Sequence, residues 1–125
     1  MNSIGYFEIQ SDHPSAAVKF YEHVFGWTFE RDPGRPIEYW RARTPGMSGA
    51  ILKRPAPAPS EPSGANAFVC SIQVENFDET SGVIIRNGGR VVLPKFAVPG
   101  RCWQGYFLDP EGNTFGVFEA DAGAR

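Results

Sequence analysis

The chain spells out one order of elements twice, and that duplication limits its fold more than any other feature. Ile9 and Ile72, Gln10 and Gln73, and Gly26 and Gly89 each stand 63 positions apart. In the first half, residues 4–10 read as a strand with Phe7 and Ile9 on one face and Tyr6, Glu8 and Gln10 on the other. Asp12, just before His13-Pro14, is the N-cap candidate for a helix running to about Phe25. Ala17, Phe20, Tyr21 and Val24 form its apolar stripe, and Gly26 is its natural stop. Strands follow at 27–30, 37–43 and 49–53, separated by the turn signals Asp32-Pro-Gly-Arg-Pro36 and Pro45-Gly46.

The second half repeats this. Residues 67–74 predict a strand with Cys70, Ile72 and Val74 on one face and Val69, Ser71 and Gln73 on the other. Asn76 and Glu79 resemble a capping box, opening a helix that ends at Gly88-Gly89. Gly82 and the β-branched Val83, Ile84 and Ile85 make that helix the weaker of the two. Strands are expected at 90–96, 101–108 and 113–119. The last two form a hairpin around Asp109-Pro-Glu-Gly-Asn113, where short polar side chains accept backbone bonds. Each half is β-α-β-β-β, an α+β pattern. The proline-rich run from Arg54 to Gly64 has no apolar periodicity and reads as an extended connector. Each half alone is too small to be comfortable. We therefore expect one domain over 1–125: module one at about 4–54, the linker at about 55–65 and module two at about 66–120.

With 125 residues, a formal charge of -2 and a pI near 5.6, the chain is suited neither to nucleic acid nor to an anionic membrane surface. No apolar run approaches the roughly 20 residues that span a bilayer. The first residues lack the basic and apolar regions of a signal peptide. Cys70 and Cys102 form no ligand-spaced cluster, so we expect free buried thiols and a cytoplasmic protein.

Tyr6-Phe-Glu-Ile9, Phe20-Tyr-Glu-His-Val-Phe-Gly-Trp27 and the Asp109–Asn113 hairpin resemble the vicinal oxygen chelate superfamily of glyoxalases, bleomycin-resistance proteins and extradiol dioxygenases. The resemblance covers nearly the whole chain. It implies two tandem βαβββ modules forming an open eight-stranded barrel-like sheet, with a central cavity on the face away from the helices. Strand parity would put Tyr6, Glu8, Ser71 and Gln73 on that face. Metal-using members place His, Gln or Glu on the first and fourth strands of each module. Carried over by position, those places are Tyr6, roughly Lys53, Val69 and Gly116. None is an ordinary divalent-metal ligand, so no metal and no other cofactor is expected. Relatives commonly pair across a two-fold axis, which implies a homodimer. Phe96-Ala-Val-Pro-Gly100, apolar and turn-like, and the proline linker are the segments this chain would offer for the contact.

Glu8 is the candidate acid-base carboxylate, with Tyr6 beside it; the plainer reading is a carboxylate that shapes the cavity wall. Arg41 and Arg43 alternate with Trp40 and Ala42, a pair of guanidiniums able to clamp a carboxylate or phosphate, or else edge-strand charges. Trp103, Gln104 and Tyr106 offer stacking and hydrogen bonds; if Phe107 faces the helices, Gln104 and Tyr106 face the cavity. His13 and His23 are expected in solvent. Three functions follow, in order of preference. The first is metal-independent binding of an aromatic or amphipathic small molecule by Tyr6, Glu8, Arg41, Ser71, Gln73, Gln104 and Tyr106. The second is a metal-free isomerase or lyase using Glu8 or Tyr6. The third is a metal-dependent glyoxalase-type lyase or dioxygenase.

Overall fold

Each half of the chain lays one helix across one face of a four-stranded mixed sheet. The computed structural model describes residues 6–54 and 69–125. The chain divides into two compact units, Met1–Ser60 and Glu61–Arg125. The proline-rich connector and the outermost residues of the first and fifth predicted strands lie outside the described residues.

The first unit runs β1 (Phe7–Ser11), α1 (Pro14–Phe25), β2 (Thr28–Arg31), β3 (Tyr39–Arg43) and β4 (Gly49–Lys53). Its strand order is β1-β4-β3-β2, with β1 and β4 parallel and the other pairs antiparallel. The helix starts one residue later than expected. His13 rather than Asp12 is the N-cap, and its own N–H donates to Ser11 Oγ at 3.0 Å. Pro14 needs no hydrogen-bond partner in that first turn. Gly26 closes the helix at φ 70°, its N–H on the Glu22 carbonyl at 3.0 Å. The buried face carries Ala17, Val18, Phe20 and Tyr21, so Val18 joins the expected stripe and Val24 is only half-buried. Tyr21 stacks on Trp27 at 5.3 Å, and Phe7 meets the same indole at 5.5 Å. The Phe7 ring lies directly on the Cα of Gly49, where any side chain would collide with it.

The second unit runs β5 (Ser71–Gln73), α2 (Phe77–Arg86), β6 (Arg90–Val98), β7 (Cys102–Leu108) and β8 (Thr114–Ala120). The order β5-β8-β7-β6 repeats that of the first unit, again with the outer β5 parallel to its neighbour. Asn76 caps α2 by accepting the Glu79 N–H at 2.9 Å. The Phe77 N–H, another donor of that first turn, goes to Glu119 Oε1 at 2.7 Å. Phe77 packs on Phe107 and over Gly105, which has no Cβ to obstruct the ring. The β7–β8 hairpin is tied by a buried carboxylate. Asp109 Oδ1 accepts the N–H groups of Glu111 and Asn113 at 2.9 and 2.8 Å, and Oδ2 accepts Asn113 Nδ2 at 3.1 Å.

Two expectations change here. Phe96, Ala97 and Val98 belong to β6, which extends to Val98, so this segment is strand rather than an unassigned apolar turn. Strand β6 is an edge that tolerates Pro94, with register shifts between Val91 and Leu93 and between Leu93 and Phe96. The cysteines are unpaired but not buried: Cys70 is exposed and Cys102 half-buried. Among the described residues, no helix is long and apolar enough to cross a membrane.

Candidate functional site

On the face of the first sheet away from α1, Glu8, Ala50, Arg41 and Glu30 stand in one row across the four strands. Tyr39 lies on the same face of β3, two residues before Arg41, and is almost fully buried with Ala50, Leu52 and Ile37 around it. Its hydroxyl donates to Glu8 Oε2 at 2.7 Å and lies 3.0 Å from the Tyr6 hydroxyl. A phenol has one hydrogen, and Tyr39 has given its own to the carboxylate. The Tyr6 hydroxyl is therefore the donor in the second bond. The result is a directed chain, Tyr6 to Tyr39 to Glu8. Burial, then the bonds to Tyr6 and Glu8, hold the Tyr39 phenol far above the usual tyrosine range.

The Arg35 guanidinium lies 4.3 Å above the Tyr39 ring. The turn before β3 holds it there, because Asp32 accepts the Gly34 N–H at 3.1 Å and Arg35 Nε at 3.2 Å. Those two bonds, the backbone one first, pull the Asp32 carboxyl below its ordinary value.

Beside this chain is an open depression of about 450 Å³. Tyr6, Thr28, Glu30, Arg41, Arg43 and Ser48 are among its lining residues. Arg41 faces Glu30 at 3.7 Å and Asp32 at 4.0 Å. Arg43 pairs across the strands with Thr28 and has no ion pair among the described residues. Strand β3 lies inside the sheet, so these arginines are not edge-strand charges.

On the equivalent face of the second sheet, Ser71, Gly116 and Tyr106 share one row, and Gln73, Phe118 and Gln104 the next. Phe107 faces α2, which sets Gln104 and Tyr106 on the open face. A Cβ at Gly116 would strike Ser71 Oγ and stand 2.9 Å from Gln104 Nε2 and 3.1 Å from a Tyr106 ring carbon. The glycine is what lets three side chains converge. Trp103 faces the helix side instead, its indole N–H on Asp121 at 2.9 Å.

Structure thus groups Tyr6, Glu8 and Arg41 in the first unit, and Ser71, Gln73, Gln104 and Tyr106 in the second. Sequence reasoning missed Tyr39. Its alternation with Arg41 and Arg43 was the available signal, but its contact with Glu8 depends on the strand order. His13 and His23 are exposed, as expected.

The four inferred metal positions do not fit a divalent ion. Tyr6 has committed its proton to Tyr39, and Val69 is an exposed hydrocarbon. Lys53 is on the helix-side register of β4, its ammonium donating to the Asp12 carbonyl at 2.7 Å; the open-face positions of β4 are Ala50 and Leu52. The crowding at Gly116 leaves no room for a longer side chain. No group of three His, Cys, Asp or Glu suited to a metal occurs among the described residues.

Comparison with known proteins adds relatives to this geometry. The family model of the Glyoxalase/Bleomycin resistance protein/Dioxygenase superfamily matches residues 3–117. A protein named "Putative glyoxylase CFP32", found in Mycobacterium bovis and Mycobacterium tuberculosis, is 28% identical over 120 residues. The match covers 91% of this chain but 44% of the mycobacterial one, so the chain spans less than half the length of these curated relatives. The glyoxalase family protein APC24694 from Bacillus cereus superposes with a TM-score of 0.78 at 18% identity, covering 96% of this chain and 95% of that one. A glyoxalase/bleomycin resistance protein/dioxygenase family enzyme from Burkholderia phytofirmans gives 0.73 at 19% identity, covering 94% and 98%. At such identities the shared property is the fold, two βαβββ modules of the glyoxalase type.

Proposed function

The chain belongs to the Glyoxalase/Bleomycin resistance protein/Dioxygenase superfamily, and from that premise we propose that it binds an aromatic or amphipathic small molecule without a metal, as a homodimer. The observation that carries this reading is the loss of donor chemistry at Tyr6, Lys53, Val69 and Gly116, above all the crowding of Ser71, Gln104 and Tyr106 around Gly116. Tyr6 supplies aromatic surface at the depression, and Arg41, Arg43 and Ser48 polar contacts. The test is elemental analysis after dialysis, with calorimetric titration of aromatic probes into the same sample. Binding with well under one metal per chain supports the reading. Near one zinc, iron, nickel or manganese per chain overturns it and favours the metal-dependent glyoxalase chemistry that the mycobacterial name suggests. Sedimentation equilibrium tests the dimer, and a single species of one chain's mass ends that part.

The Tyr6–Tyr39–Glu8 chain favours a second reading, a metal-free isomerase or lyase in which Glu8 or Tyr6 exchanges a proton with the ligand. A Glu8→Gln variant separates the two. Turnover lost with binding retained supports the enzyme; absence of turnover in the parent protein removes it.

A further inference from the structure

Hydrogen-bond direction on the first sheet restricts what its ligand can be. Glu8 accepts from Tyr39, and a carboxylate has only acceptors to offer. Tyr39 in turn uses up the Tyr6 hydrogen. What Tyr6 and Glu8 still present are lone pairs. Elsewhere in the depression that Tyr6 lines, the polarity reverses. Arg41 is answered by Glu30 and Asp32, whereas Arg43 has no ion pair among the described residues and stands with the hydroxyls of Thr28 and Ser48.

We propose that this face selects amphoteric aromatic molecules, with an amine or other N–H donor toward Tyr6 and Glu8 and a carboxylate toward Arg43. Tyr39 is the positioning residue that fixes the direction. The proposal rests on the binding reading above and narrows it to a ligand class. Two features of this one face carry it: a hydrogen-bond chain with a single permitted direction, whose Tyr6 end lines the depression, and a guanidinium in the same lining whose charge its neighbours leave unanswered. Arg35, 4.3 Å above the Tyr39 ring, packs on the phenol without taking part in its hydrogen bonds.

The experiment compares three matched probes by calorimetry at neutral pH on the metal-stripped full chain. They are L-tryptophan, tryptamine, which lacks the carboxylate, and indole-3-propionate, which lacks the amine. Tryptophan should bind about tenfold more tightly than either, the loss expected for one charge-assisted hydrogen bond. Arg43→Gln should abolish the gap between tryptophan and tryptamine and leave the other intact. Tyr39→Phe should narrow the gap between tryptophan and indole-3-propionate, because Tyr6 then regains a hydrogen to donate. Should Tyr39→Phe fail to fold, Glu8→Gln replaces it as the test: nearly isosteric and able to donate as well as accept, it should narrow the same gap. Equal affinity for all three probes overturns the proposal but leaves metal-free binding standing. Failure of all three and of indole itself to bind at millimolar concentration overturns both.

Discussion

The two sheets answer the same topology with opposite chemistry on their open faces. In the first, the row crossing the strands is Glu8, Ala50, Arg41 and Glu30; in the second, the equivalent row is Ser71, Gly116, Tyr106 and Leu93. One row is charged and the other neutral. On the helix side the units instead converge. Ile51 and Val117 are completely buried at matching strand centres, and each unit sets a phenylalanine ring on a glycine: Phe7 on Gly49, Phe77 on Gly105. The contrast teaches where each unit's stability is held. Side chains packed against a helix are constrained by volume and converge, whereas open-face side chains are free to diverge with the ligand.

The largest expected effect tests that division. Phe107→Ala removes a buried ring that stacks on Phe115 and tilts against Phe77, and should destabilise the protein by about 4 kcal/mol. Gln104→Ala, three residues earlier on the open face, should cost less than about 0.5 kcal/mol, since its 3.4 Å contact with Ser71 is long and exposed. Urea melts of both variants decide this, and comparable losses would break the comparison.

A smaller effect sharpens it. Gly116→Ala drives a methyl group into Ser71 Oγ and should cost about 2 kcal/mol. Adding Ser71→Ala should return most of that stability, which thermal melts of the single and double variants can read. The matching place in the first unit already holds a completely buried alanine, so Ala50→Gly should destabilise by about 1 kcal/mol. The same position would thus prefer opposite residues in the two units.

How far the chain could be read in advance follows the same division. The β-α-β-β-β order, the Gly26 stop, the Asn76 cap and the Asp109 hairpin are local features, and local rules found them. Tyr6 and Glu8 fell on the correct face because alternation along one strand needs no knowledge of its neighbours. Tyr39 was missed because β1 and β3 are separated by β4, an order fixed by tertiary packing. Lys53 was misplaced for a related reason: a slip of one residue along β4 exchanges its faces. The helix N-cap moved by one residue because the His13 carbonyl, not that of Asp12, accepts the first helical bonds, from the N–H groups of Ala16 and Ala17. Arg35 could not be assigned a site from sequence, since its position over Tyr39 depends on how Asp32 folds the preceding turn.

Tyr39 offers the subtlest test, because it is a polar group on the open face that is buried as deeply as the core. Its phenol is held well above the ordinary tyrosine value by burial and by its bonds to Tyr6 and Glu8. In the unfolded chain it should titrate near pH 10. Above that pH the folded protein holds a proton that the unfolded chain has lost. Stability from this group is therefore complete below about pH 10 and falls as pH climbs toward the folded value. A spectrophotometric tyrosinate titration should show Tyr39 silent in the native protein through the range where it ionises in the unfolded chain. Tyr39→Phe should leave the native titration curve below about pH 11 unchanged, yet flatten the fall in stability between about pH 10 and 11. Loss of one normally titrating phenol in that variant would show that the Tyr39 hydroxyl is open to solvent, and the first sheet would then have no directed chain to set it apart from the second.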